Sequence, residues 1–131
     1  MKDKYVLDSS LWIEIHRENI SILSKIEPLF QKNKVCLIDV ISAEVLRGAR
    51  NDKDYKKLEE IFNDFLILSC DWKKVAKLAY QVGKKGFNPP LIDLYIAQCV
   101  HENKKRLMTQ DKHFLQISKI LPFELEMIAS S

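Results

Sequence analysis

The sequence predicts an α/β fold in which a parallel sheet lies between layers of helices. Three observations carry that prediction. Short apolar runs alternate along the chain with longer segments of helical periodicity. Most of the short runs lack polar alternation, as expected of strands covered on both faces. The chain is 131 residues long with 47% apolar residues, the size and composition of one domain with a substantial core.

The elements are read in order. Residues 4–7 form a first strand, and helical segments follow over 10–17 and 19–32. In the second of these, Ile22, Ile26, Leu29 and Phe30 recur at spacings of three and four. Residues 35–38 form a second strand, followed by helices over 40–49 and 54–64, where Leu58, Ile61, Phe62 and Phe65 share a face. A third strand is expected over 65–68. The helix predicted over 72–84 carries Val75, Leu78, Ala79 and Val82 on one side, and residues 90–102 are apolar on most sides. Residues 106–109 read as a fourth strand and 123–127 as a weaker fifth. No repeat, linker or low-complexity stretch interrupts the pattern, so residues 1–131 are expected to form a single domain.

Composition narrows the class. No apolar run approaches the ~20 residues that span a bilayer, and the N-terminal residues lack the apolar stretch of a signal peptide, so a cytoplasmic protein with no membrane partner is expected. Cys36, Cys70 and Cys99 are widely spaced inside apolar segments and read as reduced core residues rather than a disulfide or zinc site. Gly48, Gly83 and Gly86 are the only glycines, which excludes a Gly-rich phosphate loop. The net charge is +3, and lysines cluster at 53, 56 and 57, at 73, 74 and 77, at 84 and 85, and at 104 and 105 beside Arg106. Such clusters fit solvated helix faces and also fit contact with nucleic acid.

Four carboxylates occupy unusual places. Asp8 directly follows the first strand, where an Asp also caps a helix well. Glu44 lies one turn into the helix after the second strand, beside an apolar face and three residues before Arg47, a possible ion-pair partner. Asp111 follows the fourth strand and is again a candidate cap. Asp93 is the hardest to explain structurally, because it sits between Ile92 and Leu94 on the helix that is apolar nearly all round. An Asp is almost never buried there without a partner.

In a parallel sheet, Asp8 and Asp111 lie just past strand carboxyl ends, and Glu44 and Asp93 lie in the first turns of helices that begin at the same end. Ligands bind at that rim in open sheets of this kind. Two like charges about 4 Å apart repel by about 4 kcal/mol at an effective dielectric of about 20. A cluster of four acids therefore takes up protons or holds cations. Four ionised carboxylates balance two divalent ions, and oxygen ligands favour Mg²⁺ or Mn²⁺ over zinc. Such ions activate water and stabilise a phosphoryl transition state, so no protein nucleophile is required. The hydroxyls of Ser9, Ser10 and Thr109 line the same rim, and His113 is the one histidine that neighbours it.

The ordered set Asp8-Ser9-Ser10-x-Trp12-Ile13, Glu44 in Ala-Glu-Val-Leu-Arg-Gly, Ile92-Asp93-x-x-Ile96-Ala97 and Met108-Thr109-x-Asp111-x-x-Phe114 resembles the PIN-domain family. It looks most like the VapC toxins of type II toxin–antitoxin pairs, over residues 5 to about 126. The resemblance implies a Rossmann-like three-layer α/β/α fold with parallel sheet order 3-2-1-4-5 and Mg²⁺- or Mn²⁺-dependent endoribonuclease activity. It also implies that Asp8 and Asp93 are the principal metal ligands, that Glu44 and Asp111 complete the site partly through water, and that Thr109 supports it. It further implies a homodimer, inhibition by a small antitoxin protein, and a structured RNA substrate. Many relatives carry another acid where this chain has His113, and Asp39 is a nearby acid that could compensate or cap its helix.

Two other readings are weaker. An aspartyl-phosphate phosphatase would share the Asp after the first strand, but it needs a second acid two residues later, where this chain has Ser10. A non-catalytic RNA- or protein-binding module on the same fold would be expected to have lost the acids, and all four are present.

Overall fold

The computed structural model describes residues 4–129. Five strands form one sheet in the order β3-β2-β1-β4-β5, and every pairing is parallel. The strands are β1 (Tyr5–Leu7), β2 (Val35–Ile38), β3 (Ile67–Leu68), β4 (Arg106–Thr109) and β5 (Glu124–Met127). The helices flanking them are α1 (Ser9–His16), α2 (Ile20–Gln31), α3 (Asp39–Arg47), α4 (Asp52–Phe62), α5 (Trp72–Lys84), α6 (Leu91–Glu102) and α7 (His113–Ser118). The expected order 3-2-1-4-5 is the observed one.

The centre of the sheet is the most apolar part of the chain. Val6 and Leu7 of β1, all four residues of β2, and Leu107 and Met108 of β4 are buried, which is why these runs show no polar alternation. The edges differ. β3 keeps only Ile67 and Leu68 of the expected 65–68, with Ile67 exposed. Phe65 is drawn away into an edge-to-face cluster with Trp12 and Phe30, in which Trp12 also meets Phe62. Each such pair adds about 0.5–1.5 kcal/mol beyond the area it buries. That cluster joins α1, α2, α4 and the segment before β3.

One helix, α7, is absent from the expectations. It has six residues, and only Phe114 and Ile117 are buried, too few to register as a periodic pattern. Helix ends also depart from the usual glycine rule. Glu18, Asn33 and Lys104 adopt the left-handed conformation just past α1, α2 and α6, a position glycine normally takes. In this glycine-poor chain only Gly86, with φ 97°, fills that role, after α5.

Two acids outside the predicted site are committed to the fold. Asp39 opens α3; its Oδ1 accepts from its neighbour Val40 N at 2.8 Å and its Oδ2 accepts the Tyr95 hydroxyl at 3.0 Å. Asp39 is therefore a structural acid. Tyr95, fully buried on α6, also accepts from the Cys70 backbone N–H at 3.1 Å. Burial, opposed by that bond, pushes its phenol up to about 12. This one hydroxyl ties α3 and α6 to the segment before α5. Asp54, buried at the start of α4, accepts from the Arg50 backbone N–H at 3.0 Å and faces His16 at 3.4 Å, so it joins the end of α1 to α4. Cys36, Cys70 and Cys99 are all free thiols. No helix of the described residues is long and apolar enough to cross a membrane.

The Tyr95 bridge is testable. Tyr95→Phe leaves the Cys70 N–H and one Asp39 oxygen without their buried partner. It should lower stability by about 1–3 kcal/mol in denaturant titrations. An unchanged midpoint would mean that water satisfies both groups.

Candidate active site

The sheet order changes direction between β1 and β4, where ligands bind in open α/β sheets. Register brings the two strand ends level, with Leu7 opposite Met108. The Asp8 N–H donates to the Met108 carbonyl at 3.0 Å, which carries the pairing one step past the strand. Asp8 and Thr109 are thereby neighbours, and the Thr109 hydroxyl donates to Asp8 Oδ2 at 2.8 Å. Thr109 is wholly buried and Asp8 nearly so.

Asp8 is also the N-cap of α1, its Oδ1 accepting from Ser9 N at 2.8 Å. The Ser10 hydroxyl donates more weakly to Oδ2 at 3.4 Å. Capping and site roles therefore coexist in one carboxylate. Burial pushes the Asp8 carboxyl up, the Thr109, Ser9 and Ser10 hydrogen bonds pull it back, and the charge of Asp111 adds to the rise.

Thr109 reaches in two directions. Its Oγ1 also accepts from Asp111 N at 3.0 Å, which sets the backbone of Asp111 against the strand end. Asp111 Oδ1 in turn accepts from His113 N at 2.9 Å. Asp111 is not the N-cap of α7, a position that falls to Lys112; it makes only this local turn bond to His113 N.

Asp93 enters from the first turn of α6 and is partly buried, between the core residue Leu94 and partly buried Ile92. Its carboxyl is pushed up to about 6 by burial, then by the charges of Asp111 and Asp8, against an opposing effect of His113. Glu44 stands on α3, exposed, and its carboxyl is raised by desolvation and by Asp8 and Asp93, with Arg47 and the Ser9 hydroxyl opposing. Among the described residues no ion pair joins Glu44 to Arg47; Arg47 acts only at longer range. Asp8 raises both Asp93 and Glu44, Asp93 raises Glu44, and Asp111 raises both Asp8 and Asp93, so the four predicted acids share one electrostatic field.

The tightest grouping is Asp93, Asp111 and His113, each offering one ligand atom within 4.8 Å of the others. His113 Nδ1 lies 3.4 Å from Asp111 Oδ1 and 3.6 Å from Asp93 Oδ2. Asp8 and Glu44 lie outside that trio and act on Asp93 and on each other through their charges. The donor set of carboxylates with one imidazole fits a divalent cation. Carboxyls driven up by one another are what a bound positive charge would relieve. Sequence reading missed Tyr95, whose hydroxyl engages the nearest alternative acid, Asp39; a tyrosine on an apolar helix carries no signal of such a partner.

A model of the PIN domain matches residues 5–120, a span that contains Asp8, Glu44, Asp93 and Asp111. Among curated proteins no sequence matches the chain. Among solved structures the fold is similar to DNA-bound VapBC from Salmonella typhimurium, with TM-score 0.76, 16% identity, and 97% of this chain and 98% of that chain covered. It is similar to VapBC2 from Rickettsia felis bound to a DNA fragment from their promoter, with TM-score 0.74, 21% identity and 94% and 97% covered. FitAcB from Neisseria gonorrhoeae gives TM-score 0.67, 19% identity and 92% and 95% covered. At these identities the likeness is one of fold. With the family model covering nearly the whole chain, and the fold and sheet order agreeing with it, this protein belongs to the PIN-domain family.

Proposed function

We propose that this chain is a divalent-metal-dependent endoribonuclease, the toxin of a toxin–antitoxin pair, which cuts structured RNA as a cytoplasmic homodimer and is restrained by a small antitoxin protein. The observation that carries the nuclease reading is the placement of Asp93, partly buried in the first turn of α6, with ligand atoms of Asp111 and His113 within 4.8 Å and in one electrostatic field with Asp111 and Asp8. Asp39 and Asp54 accept hydrogen bonds from the fold, whereas the groups that act on Asp93 are the charges of Asp111 and Asp8, opposed by the ring of His113. Support for the toxin and antitoxin roles comes from the fold, which is shared with the VapBC and FitAcB structures.

Asp8, Asp93 and Asp111 would hold Mg²⁺ or Mn²⁺, with Glu44 completing the site, partly through water. Such an ion lowers the pKa of water and offsets the charge that develops on the phosphate. The chain's own residues supply the rest. Thr109 holds Asp8 in one rotamer by its 2.8 Å hydrogen bond, and Ser9 N holds the other oxygen. Glu44, an exposed acid on α3, would accept a proton from water.

Cleavage of total RNA by chain freed of any copurified inhibitor should require Mg²⁺ or Mn²⁺. Asp93→Asn should lower it by at least about 100-fold, and Thr109→Ala by about tenfold, because the hydroxyl orients Asp8. Wild type inactive with both ions would end the nuclease proposal. Equal cutting by Asp93→Asn would remove Asp93 from the site.

Stability gives a second test. The folded carboxyl of Asp93 titrates at about 6, above its ordinary 3.8. Its contribution is therefore fully present below pH 3.8 and lost as pH rises through 6. The loss is on the order of 3 kcal/mol, or roughly 10 °C in Tm. In EDTA at neutral pH, Asp93→Asn should melt at the same temperature as wild type or higher. Its Tm should fall less than that of wild type between pH 4 and pH 7. Addition of Mn²⁺ should raise the wild-type Tm and leave the variant nearly unchanged. A large drop in the variant's Tm in EDTA would make Asp93 a structural residue instead.

A further inference from the structure

We propose that His113 is a nitrogen ligand to the cation of this acidic centre, and that it makes the centre favour Mn²⁺ over Mg²⁺ more strongly than an all-oxygen site would. The inference rests on the metal-dependent reading above and deepens it.

The placement of the ring is the first argument. His113 begins α7 and its side chain is 58% exposed, so bulk packing does not force it inward. Its Nδ1 nonetheless faces two carboxylates at once, at 3.4 Å from Asp111 Oδ1 and 3.6 Å from Asp93 Oδ2. Both separations exceed the roughly 2.7–3.2 Å of a good N–H···O bond. The ring is thus aimed between the two oxygens and firmly bonded to neither. Neighbouring ligands around a six-coordinate ion with bonds of about 2.1 Å lie about 3.0 Å apart, and opposite ones about 4.2 Å. The two Nδ1 separations, 3.4 and 3.6 Å, exceed the spacing of neighbouring ligands by roughly 0.4 and 0.6 Å, and all three atoms lie within 4.8 Å of one another.

The backbone holds the ring there. Thr109 Oγ1 accepts from Asp111 N, and Asp111 Oδ1 accepts from His113 N at 2.9 Å. That turn fixes the His113 main chain against the Asp111 carboxylate. The same hydroxyl that orients Asp8 thereby sets the position of His113.

The chemistry follows from the donor. Mg²⁺ is hard, keeps its waters and is bound through oxygen, whereas Mn²⁺, a softer first-row transition ion, binds mixed nitrogen and oxygen sites as well. Replacing one oxygen by a neutral imidazole nitrogen therefore costs Mg²⁺ more than Mn²⁺.

The test uses the whole chain without RNA. Mn²⁺ binding is followed by electron paramagnetic resonance, with Mg²⁺ as competitor, and pulsed measurements on the bound ion read any nitrogen hyperfine coupling. Wild type should show imidazole nitrogen coupling, and His113→Ala and His113→Asp should lose it. The Mn²⁺ to Mg²⁺ affinity ratio should fall by about tenfold in His113→Asp, whose donors are all oxygen. Bound Mn²⁺ without nitrogen coupling in wild type, or an unchanged ratio in His113→Asp, overturns the proposal. Tighter Mn²⁺ binding by His113→Ala also overturns it, because the ring would then be a counter-charge that competes with the ion. Asp93→Asn separates the two levels. If it binds Mn²⁺ as tightly as wild type, the metal-dependent reading falls as well; if it loses binding while nitrogen coupling is absent from wild type, only the His113 proposal fails.

Discussion

The hydrogen bond from the buried Thr109 hydroxyl to Asp8 Oδ2 is the contact on which the rest of the site depends. It closes the gap between β1 and β4 at the point where the sheet order reverses. Thr109 spends both of its capacities there, donating to Asp8 and accepting from Asp111 N. Asp8 is aimed, Asp111 is seated, and the turn that carries His113 starts from a fixed point. An apolar residue at 109 would keep the strand but leave three side chains without a common reference.

The opposing constraint is repulsion. Asp8, Glu44 and Asp93 all have raised carboxyls, each first by desolvation and then by one another or by Asp111. The fold tolerates this because its stability lies elsewhere. The middle three strands are buried, the aromatic cluster around Trp12 locks α1, α2 and α4, and Tyr95 ties α3 to α6 through Asp39. Asp39 and Asp54 serve the fold alone, whereas Asp8 both caps α1 and stands in the site. Asp39 and Asp54 have hydrogen-bond donors, whereas Asp93 has mostly other acids. That division is how real proteins accommodate a locally unfavourable site within a favourable whole.

Much of this was legible in the sequence, for particular reasons. β1, β2 and β4 are short runs buried on both sides, so composition alone marks them. α5 carries its buried residues Val75, Leu78 and Val82 at helical spacing. Asp93 was conspicuous because its flanks are apolar. The edges were less legible. β3 shrank to two residues because Phe65 packs better on Trp12 and Phe30 than in a strand, and α7 was too short to show a period.

The sequence by itself determined the class of fold, the order of its elements and which acids follow strand ends, because local patterning encodes period and burial. Tertiary structure alone decided the company each acid keeps. Asp39 and Asp8 both sit just past the carboxyl end of a buried strand, yet one meets a tyrosine hydroxyl and the other meets Thr109 within a field of carboxylates. His113 turns its ring toward two of those carboxylates only because the Thr109–Asp111 turn places it there. Those partners lie up to 101 positions apart in the chain, and no local pattern records which of them the sheet order will bring together.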